Sequence, residues 1–265
     1  MLRCELEKQL KFLSQNVRGL NHDKEEELVD FMCTNNIFAC GIQETWRLGS
    51  DITENNGFVV VQHGCEQKRR RKGRTSGGVA IILSPVAKKA WISAGSQFFH
   101  FGDRILAVRL NLPDAKKRLV KIFFVVAYFP IGAAKNQVRQ DFFLQFEQCI
   151  SSCSDEEVLL VAADTNSSMG TRSSVHDGVL GPFGIKYCNK AGKELYDCCA
   201  TSCLCSATTF FQKPQYQTWV NPRSKRGHQS DHFLVKKSAF ARVQDAGRYG
   251  GLFMESDHQP LQLTL

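Results

Sequence analysis

The spacing of apolar and polar residues divides the chain into short β-type runs with helical stretches between them. Leu10, Phe12 and Leu13, ahead of SQNVRGLN, predict a strand that leaves the core and delivers Asn16 into a loop. A helix follows: Asp23 is placed to cap it, Glu25 to Glu27 sit in its electropositive first turns, and Leu28, Phe31 and Met32 share a face. IFACGIQETW reads as a buried strand ending at Gln43 and Glu44, and FVVVQHG, beyond a turn-rich stretch, as another. SGGVAIILS, RILAVRLNL and VKIFFVVAYFP, each bounded by polar or Gly/Pro punctuation, predict adjacent strands of a large sheet.

The period turns helical from Lys135 to Cys153, with Val138, Phe142, Phe146 and Cys149 on one stripe, before VLLVAADTN returns to a buried strand. A second helix is expected around KELYDCCATSCL. TTFF then reads as a strand, Gln212 to Gln229 as a long polar loop, DHFLV as a strand and SDHQPLQLTL as the closing run. Strand, helix and a strand ending in acidic or amide residues occur in both halves, which predicts two related layers meeting at a shared cleft. No linker interrupts the pattern, and Gly178 to Gly184 is short enough for a surface loop, so residues 1–265 are expected to form a single domain.

Composition adds a direction to this frame. A hydrophobic fraction of 43%, with 19 Phe, supplies a packed core, and 34 Lys and Arg against 26 Asp and Glu give a formal charge of +8 that favours acidic partners such as nucleic acid. Six basic residues fall among seven at Lys68, Arg69, Arg70, Arg71, Lys72 and Arg74, a tract suited to phosphate contact and compatible with nuclear targeting. The odd set of eleven Cys, with no apolar signal-type segment near Met1, points to reduced thiols inside a cell. No apolar run approaches the length of a bilayer span, so membrane insertion is not expected. Cys203, Cys205, His228 and His232 have zinc-binding side chains, but a C-x-C pair so far from the histidines does not match finger spacing.

Six places concentrate chemistry. Asp164 and Asn166 end an apolar run two positions apart, which on an extended backbone places them on the same side. Asn16, Glu44 and Tyr128 end β-rich runs, Asp231 begins one, and Asp257–His258 precedes the last. Taken singly, each has an ordinary reading as an Asx turn, a solvated carboxylate or a surface pair.

Taken in order, Asn, Glu, Tyr, Asp-x-Asn, Asp and Asp-His resemble the endonuclease/exonuclease/phosphatase family, whose members include DNase I and the AP endonucleases. NVRGLN, IQETW, SGGVAIIL, AYFP, ADTN, TTFFQKP and SDHFLV look most like the endonuclease domain at the amino end of non-LTR retrotransposon reverse-transcriptase polyproteins. The resemblance spans residues 11 to 265. It implies an α/β fold, a four-layered α/β/β/α sandwich of two packed sheets flanked by helices.

The resemblance further implies a nuclear enzyme that uses Mg2+, or Mn2+, to nick double-stranded DNA and leave a 3'-hydroxyl for target-primed reverse transcription. The other domains of a polyprotein would be its partners, without a small-molecule cofactor. Glu44 would bind the metal, with Asn16 nearby and Asp257 contributing. Asp164 would orient or deprotonate the attacking water, Asn166 and Tyr128 would steady the phosphoryl oxygens, and His258, held by Asp231, would face the developing charge. DNA contacts are expected from Arg18, from Arg69, Arg70 and Arg71, and from Thr209. In the long loop, Tyr216 and Trp219 would stack or wedge while Arg223, Lys225 and Arg226 meet phosphates. Arg18 departs from the AP endonucleases, which carry an acidic residue there, and this weakens an abasic-site repair reading. An inositol-phosphate or other phosphatase of the same fold, and a binding module that has lost catalysis, are the competing expectations.

Overall fold

The computed structural model describes residues 9–66, 77–114, 117–172, 174, 177–251 and 255–265. In chain order the first half holds β1 (Lys11–Asn16), α1 (His22–Asn35), β2 (Ile37–Gln43), β3 (Ser50–Asn55), β4 (Phe58–His63), β5 (Val79–Leu83), α2 (Pro85–Ser93), β6 (Phe98–His100), β7 (Ile105–Pro113) and β8 (Leu119–Tyr128). The second holds α3 (Asn136–Ser151), β9 (Glu157–Asp164), α4 (Lys190–Thr201), β10 (Leu204–Ser206), β11 (Trp219–Val220), β12 (Gly227–His228), β13 (Asp231–Lys236), β14 (Asp245–Arg248) and β15 (Leu261–Thr264). A seven-stranded sheet runs β14-β15-β1-β2-β5-β4-β3 and a six-stranded sheet β10-β13-β9-β8-β7-β6, while β11 and β12 form a separate hairpin.

Strands that are apolar on both faces must lie in the middle of a layered structure, and β8 and β9 do. Ile122, Phe124 and Val126 join Val158, Leu160 and Ala162 in the core between the sheets, whereas Phe123, Val125, Leu159 and Val161 face Phe142, Phe146 and Leu195 of α3 and α4. On the other sheet, Leu28, Val29 and Met32 of α1 cover Leu13, Ile42, Val60 and Ile82. The layers are therefore helix, sheet, sheet, helix, as the resemblance implies. Gly41 of β2 allows close approach at the centre, since a Cβ there would stand 2.6 Å from Val126 and 2.9 Å from Ala162.

Several local expectations change. The cap of α1 is Asn21, whose side chain accepts from the Lys24 amide, and Asp23 sits inside the first turn. VAIIL is not a neighbour of the two runs after it: β5 pairs with β2 and β4, so the chain crosses between sheets through α2. TTFF is not a strand. Ala207–Thr209 form a 3-10 turn, and the strand is Leu204–Ser206 just before it. On α3, Phe142, Phe146 and Cys149 are buried, but Val138 is exposed.

Candidate active site

Strand direction gathers the polar residues. β1 and β2 run parallel, as do β8 and β9, so Asn16, Gln43, Tyr128 and Asp164 all emerge at carboxyl ends. β13 is antiparallel to β9, and its first residue, Asp231, lies opposite Asp164. The result is a cleft of about 430 Å³ whose lining includes Arg18, Glu44, Tyr128, Asn166, Asp257 and His258.

At one end Glu44 is held by three donors. Its Oε1 accepts from Asn16 Nδ2 (3.1 Å) and Tyr128 Oη (2.8 Å), and its Oε2 from Trp46 Nε1 (3.2 Å). Asn16 Nδ2 also donates to Asp164 Oδ2 at 2.8 Å, so one amide joins the two carboxylates. Tyr128 is pushed above the usual phenol range by burial first and then by the Glu44 charge, so it is a donor here. Arg104 lies 4.8 Å over the Tyr128 ring and donates to its carbonyl at 3.4 Å.

At the other end Asp231 pairs with His258. Nδ1 stands 3.1 and 3.2 Å from the two carboxylate oxygens, with both residues buried. Burial opposes charge on the imidazole, but Asp231 and then Asp164 overcome it and push His258 up to about 10. Burial also pushes Asp231 up, yet His258 and hydrogen bonds from Thr218 and Ser230 hold it below the ordinary carboxylate range. Burial, and then the Asp231 charge, raise Asp164 to about 7, and the His258 charge and the hydrogen bonds from Asn16 and Asn166 lower its pKa but do not outweigh burial.

The backbone around the cleft is unusual. Arg18, Glu44, Trp46 and Asn166 have φ of 47°, 55°, 56° and 45°, in the left-handed region that non-glycine residues seldom occupy. Asn166 therefore does not continue an extended strand beside Asp164. Its amide N–H caps Asp164 Oδ1 at 3.0 Å in an Asx turn, and its Nδ2 donates to the Phe129 carbonyl at 2.8 Å.

The ligand set for a hard cation is present in part. Glu44 and Asp257 supply anionic oxygens to the same cleft, and Asp257 Oδ1 is buried without a hydrogen-bond partner. Asn16 turns its nitrogen to Glu44, while its Oδ1 accepts from the Arg18 amide at 3.1 Å, so it positions a carboxylate and keeps one lone pair of its oxygen. Asp164, Asp231 and His258 also place ligand-type atoms within 4.8 Å of one another. An imidazole protonated on both nitrogens has no lone pair to offer a metal, so this trio suits a proton-holding group.

Of the expected DNA contacts, Arg18 and Trp219 border the cleft. Trp219 is not at a loop tip: it opens the β11–β12 hairpin, lies 5.6 Å from the His228 ring and donates to Asp257 Oδ2 at 3.1 Å. Arg223, Lys225 and Arg226 are exposed on the hairpin turn, and Tyr216 is half-buried with its hydroxyl accepting from the Lys213 amide. Thr209 is a correction. It is fully buried, donates to the Ser206 carbonyl and accepts from the Gly181 amide, so its hydroxyl does not face a duplex. Arg69, Arg70 and Arg71 lie outside the described residues. The sequence reading overlooked Trp46, Arg104 and Thr218. Trp46 was visible in IQETW beside the glutamate it supports, whereas Arg104 and Thr218 carry no local signal.

No protein-family model matches the chain. Craniofacial development protein 2 of Tragulus javanicus is 25% identical over 249 residues, which cover 93% of this chain, and the chain spans 40% of that relative's length. Among solved structures, the AP endonuclease LMAP of Leishmania major superimposes with a TM-score of 0.68 at 16% identity, covering 98% of this chain and 88% of that one. The endonuclease domain of TRAS1, a telomere-specific non-LTR retrotransposon, gives 0.63 at 14% identity, covering 97% and 98%. The 3' phosphatase NExo from Neisseria, bound to a product DNA hairpin, gives 0.65 at 15% identity, covering 96% and 98%. Coverage this complete at identities this low speaks for architecture. The chain has the DNase I-like fold of the endonuclease/exonuclease/phosphatase proteins.

Proposed function

We propose that the chain is a divalent-metal-dependent endonuclease that nicks one strand of double-stranded DNA and leaves a 3'-hydroxyl. The observation that carries this reading is the buried Asp231–His258 pair beside a raised Asp164, at the rim where Asn16 and Tyr128 hold Glu44. Phosphodiester hydrolysis needs an activated water, neutralisation of growing phosphoryl charge and support for a departing alkoxide. Asp164, near 7, accepts or orients the proton of the water at neutral pH. His258 presents a cationic N–H to the phosphate, and Asp231 fixes its orientation. Glu44 and Asp257 would hold Mg2+ or Mn2+, which supplies Lewis-acid polarisation of a phosphoryl oxygen.

The retrotransposon reading rests on the motif resemblance and on the likeness to the TRAS1 endonuclease domain, and the DNA reading on the neighbour bound to a DNA hairpin. On this reading residues 1–265 are one nuclease domain of a longer nuclear polyprotein, with the tract around Arg69, Arg70 and Arg71 meeting phosphates. Incubation with supercoiled plasmid tests the activity. Relaxed circles whose nicks prime a DNA polymerase are expected with Mg2+, and none with EDTA or with Asp164→Asn. Intact plasmid with Mg2+, or equal nicking in EDTA, would overturn it.

A further inference from the structure

Asp257 stands between two cavities. On one side is the cleft just described, and on the other a cavity of about 850 Å³ runs past Gly19, Lys24, Trp46 and Arg47. Arg18 and Asp257 line both, and their ion pair, Nη1 to Oδ2 at 3.0 Å, lies on the boundary. Trp219 donates to the same oxygen at 3.1 Å, while Oδ1 is buried and accepts no hydrogen bond. One oxygen of the carboxylate is thus without a donor at the border of the cleft that Glu44 lines.

We propose that Arg18 is a built-in countercation for Asp257: it competes with a divalent ion for this carboxylate and yields it when a substrate phosphate takes the guanidinium. This rests on the nuclease reading of the site. Three features support the exchange. The side chains of Arg18 and Asp257 are 48% and 34% exposed, so the pair is screened and weak enough to be replaced. A guanidinium meets a phosphate with two parallel hydrogen bonds, which one nitrogen on one carboxylate oxygen does not match. The Arg18 backbone is fixed, with φ of 47° and its amide bound to Asn16 Oδ1, so the side chain swings while its root stays at the cleft. Opening the pair would join the two cavities into one groove and free Asp257 beside Glu44. Metal and DNA would then bind with positive cooperativity, each favouring the state in which the pair is open.

The test titrates the whole chain with Mn2+ alone, followed by the loss of the free-ion electron paramagnetic resonance signal. Arg18→Gln is expected to tighten Mn2+ binding about ten-fold, the order for removing one unit charge a few Å from a divalent ion in a part-exposed cleft. Arg18→Lys, which keeps the charge, is expected to stay within about two-fold of the natural protein. In an Asp257→Asn background the Arg18→Gln gain should vanish. Unchanged affinity in Arg18→Gln, or a gain that persists without the Asp257 charge, would overturn the proposal. Mn2+ binding with these shifts but no plasmid nicking would overturn the nuclease reading alone and leave the countercation role standing.

Discussion

Replacing Asp231 by Asn keeps the shape of the residue and removes the charge on which the site turns. Two groups depend on that charge in opposite ways. His258 is buried, and without the carboxylate at 3.1 Å burial would dominate and the imidazole would lose its proton near neutrality. Asp164 is raised to about 7 by burial and then by Asp231, while the His258 charge lowers it, so losing Asp231 and the imidazolium together subjects Asp164 to two opposed changes. A rate that needs Asp164 ionised and His258 protonated rises through the first value and falls through the second. Asp231→Asn should therefore slide the falling limb of the pH–rate profile to lower pH, and at pH 8 nicking should fall by about two to three orders of magnitude, the range for losing one charge-stabilising group. Stability gives an independent readout. Because the folded value of His258, about 10, lies above its ordinary 6.5, its contribution is fully present below pH 6.5 and is lost as pH rises through 10. For a buried pair that contribution is roughly 3–5 kcal/mol, and denaturant unfolding of Asp231→Asn between pH 6.5 and 10 should show a flattened pH dependence. Plasmid nicking across pH 5 to 10, with NMR titration of the His258 ring, reads both effects. A variant with its falling limb unmoved and His258 still cationic at pH 9 would refute the reasoning.

Three further outcomes are expected. Glu44→Gln should raise the Mg2+ concentration for half-maximal nicking by at least about ten-fold, because a hard ion favours anionic oxygen, and an unaltered metal response would move the ligand elsewhere. Shortening the hairpin turn from Asn221 to Arg226, while keeping Trp219 and its bond to Asp257, should flatten the cleavage pattern on a mixed-sequence duplex yet leave substantial nicking. Identical cut positions in identical proportions would exclude this turn as the selector. Gly192→Ala on α4 should destabilise the protein by about 2–3 kcal/mol, because the new Cβ would lie 1.8 Å from the Ser168 carbonyl oxygen, and wild-type stability in urea would contradict the packing described.

Much of this was legible in the sequence, for identifiable reasons. Strand ends carry a strong signal because an apolar run stops where a polar side chain appears, and Asn16, Glu44, Tyr128, Asp164 and Asp231 all lie at such borders. Which runs pair was not legible. VAIIL and RILAVRLNL look alike locally, and only the crossover through α2 places them in different sheets. The Ser50–Asn55 strand reads as a turn because it is an edge with its side chains largely in water, so no apolar alternation marks it. Thr209 failed for a different reason. A motif gives residue identity but not orientation, and the 3-10 turn points its hydroxyl into the backbone of Gly181 and Ser206. Arg104 and Thr218 support the site from neighbouring elements that the fold brings against it, a relation that no local pattern encodes.

The last strand has a consequence for how such a molecule comes into being. β15 lies between β14 and β1, and Leu10 and Leu265 bond each other's backbones. His258 is carried just ahead of that strand, about 240 residues after Asn16. During synthesis the chain can lay down β8, β9 and their helices long before the seven-stranded sheet has the member that joins β14 to β1. Until that member zips in, the imidazole has no fixed address opposite Asp231. A nascent or truncated chain that lacks β15 would carry Asp164 and Asp231 without an imidazole held against them, so the cleft is completed only when that strand is in place.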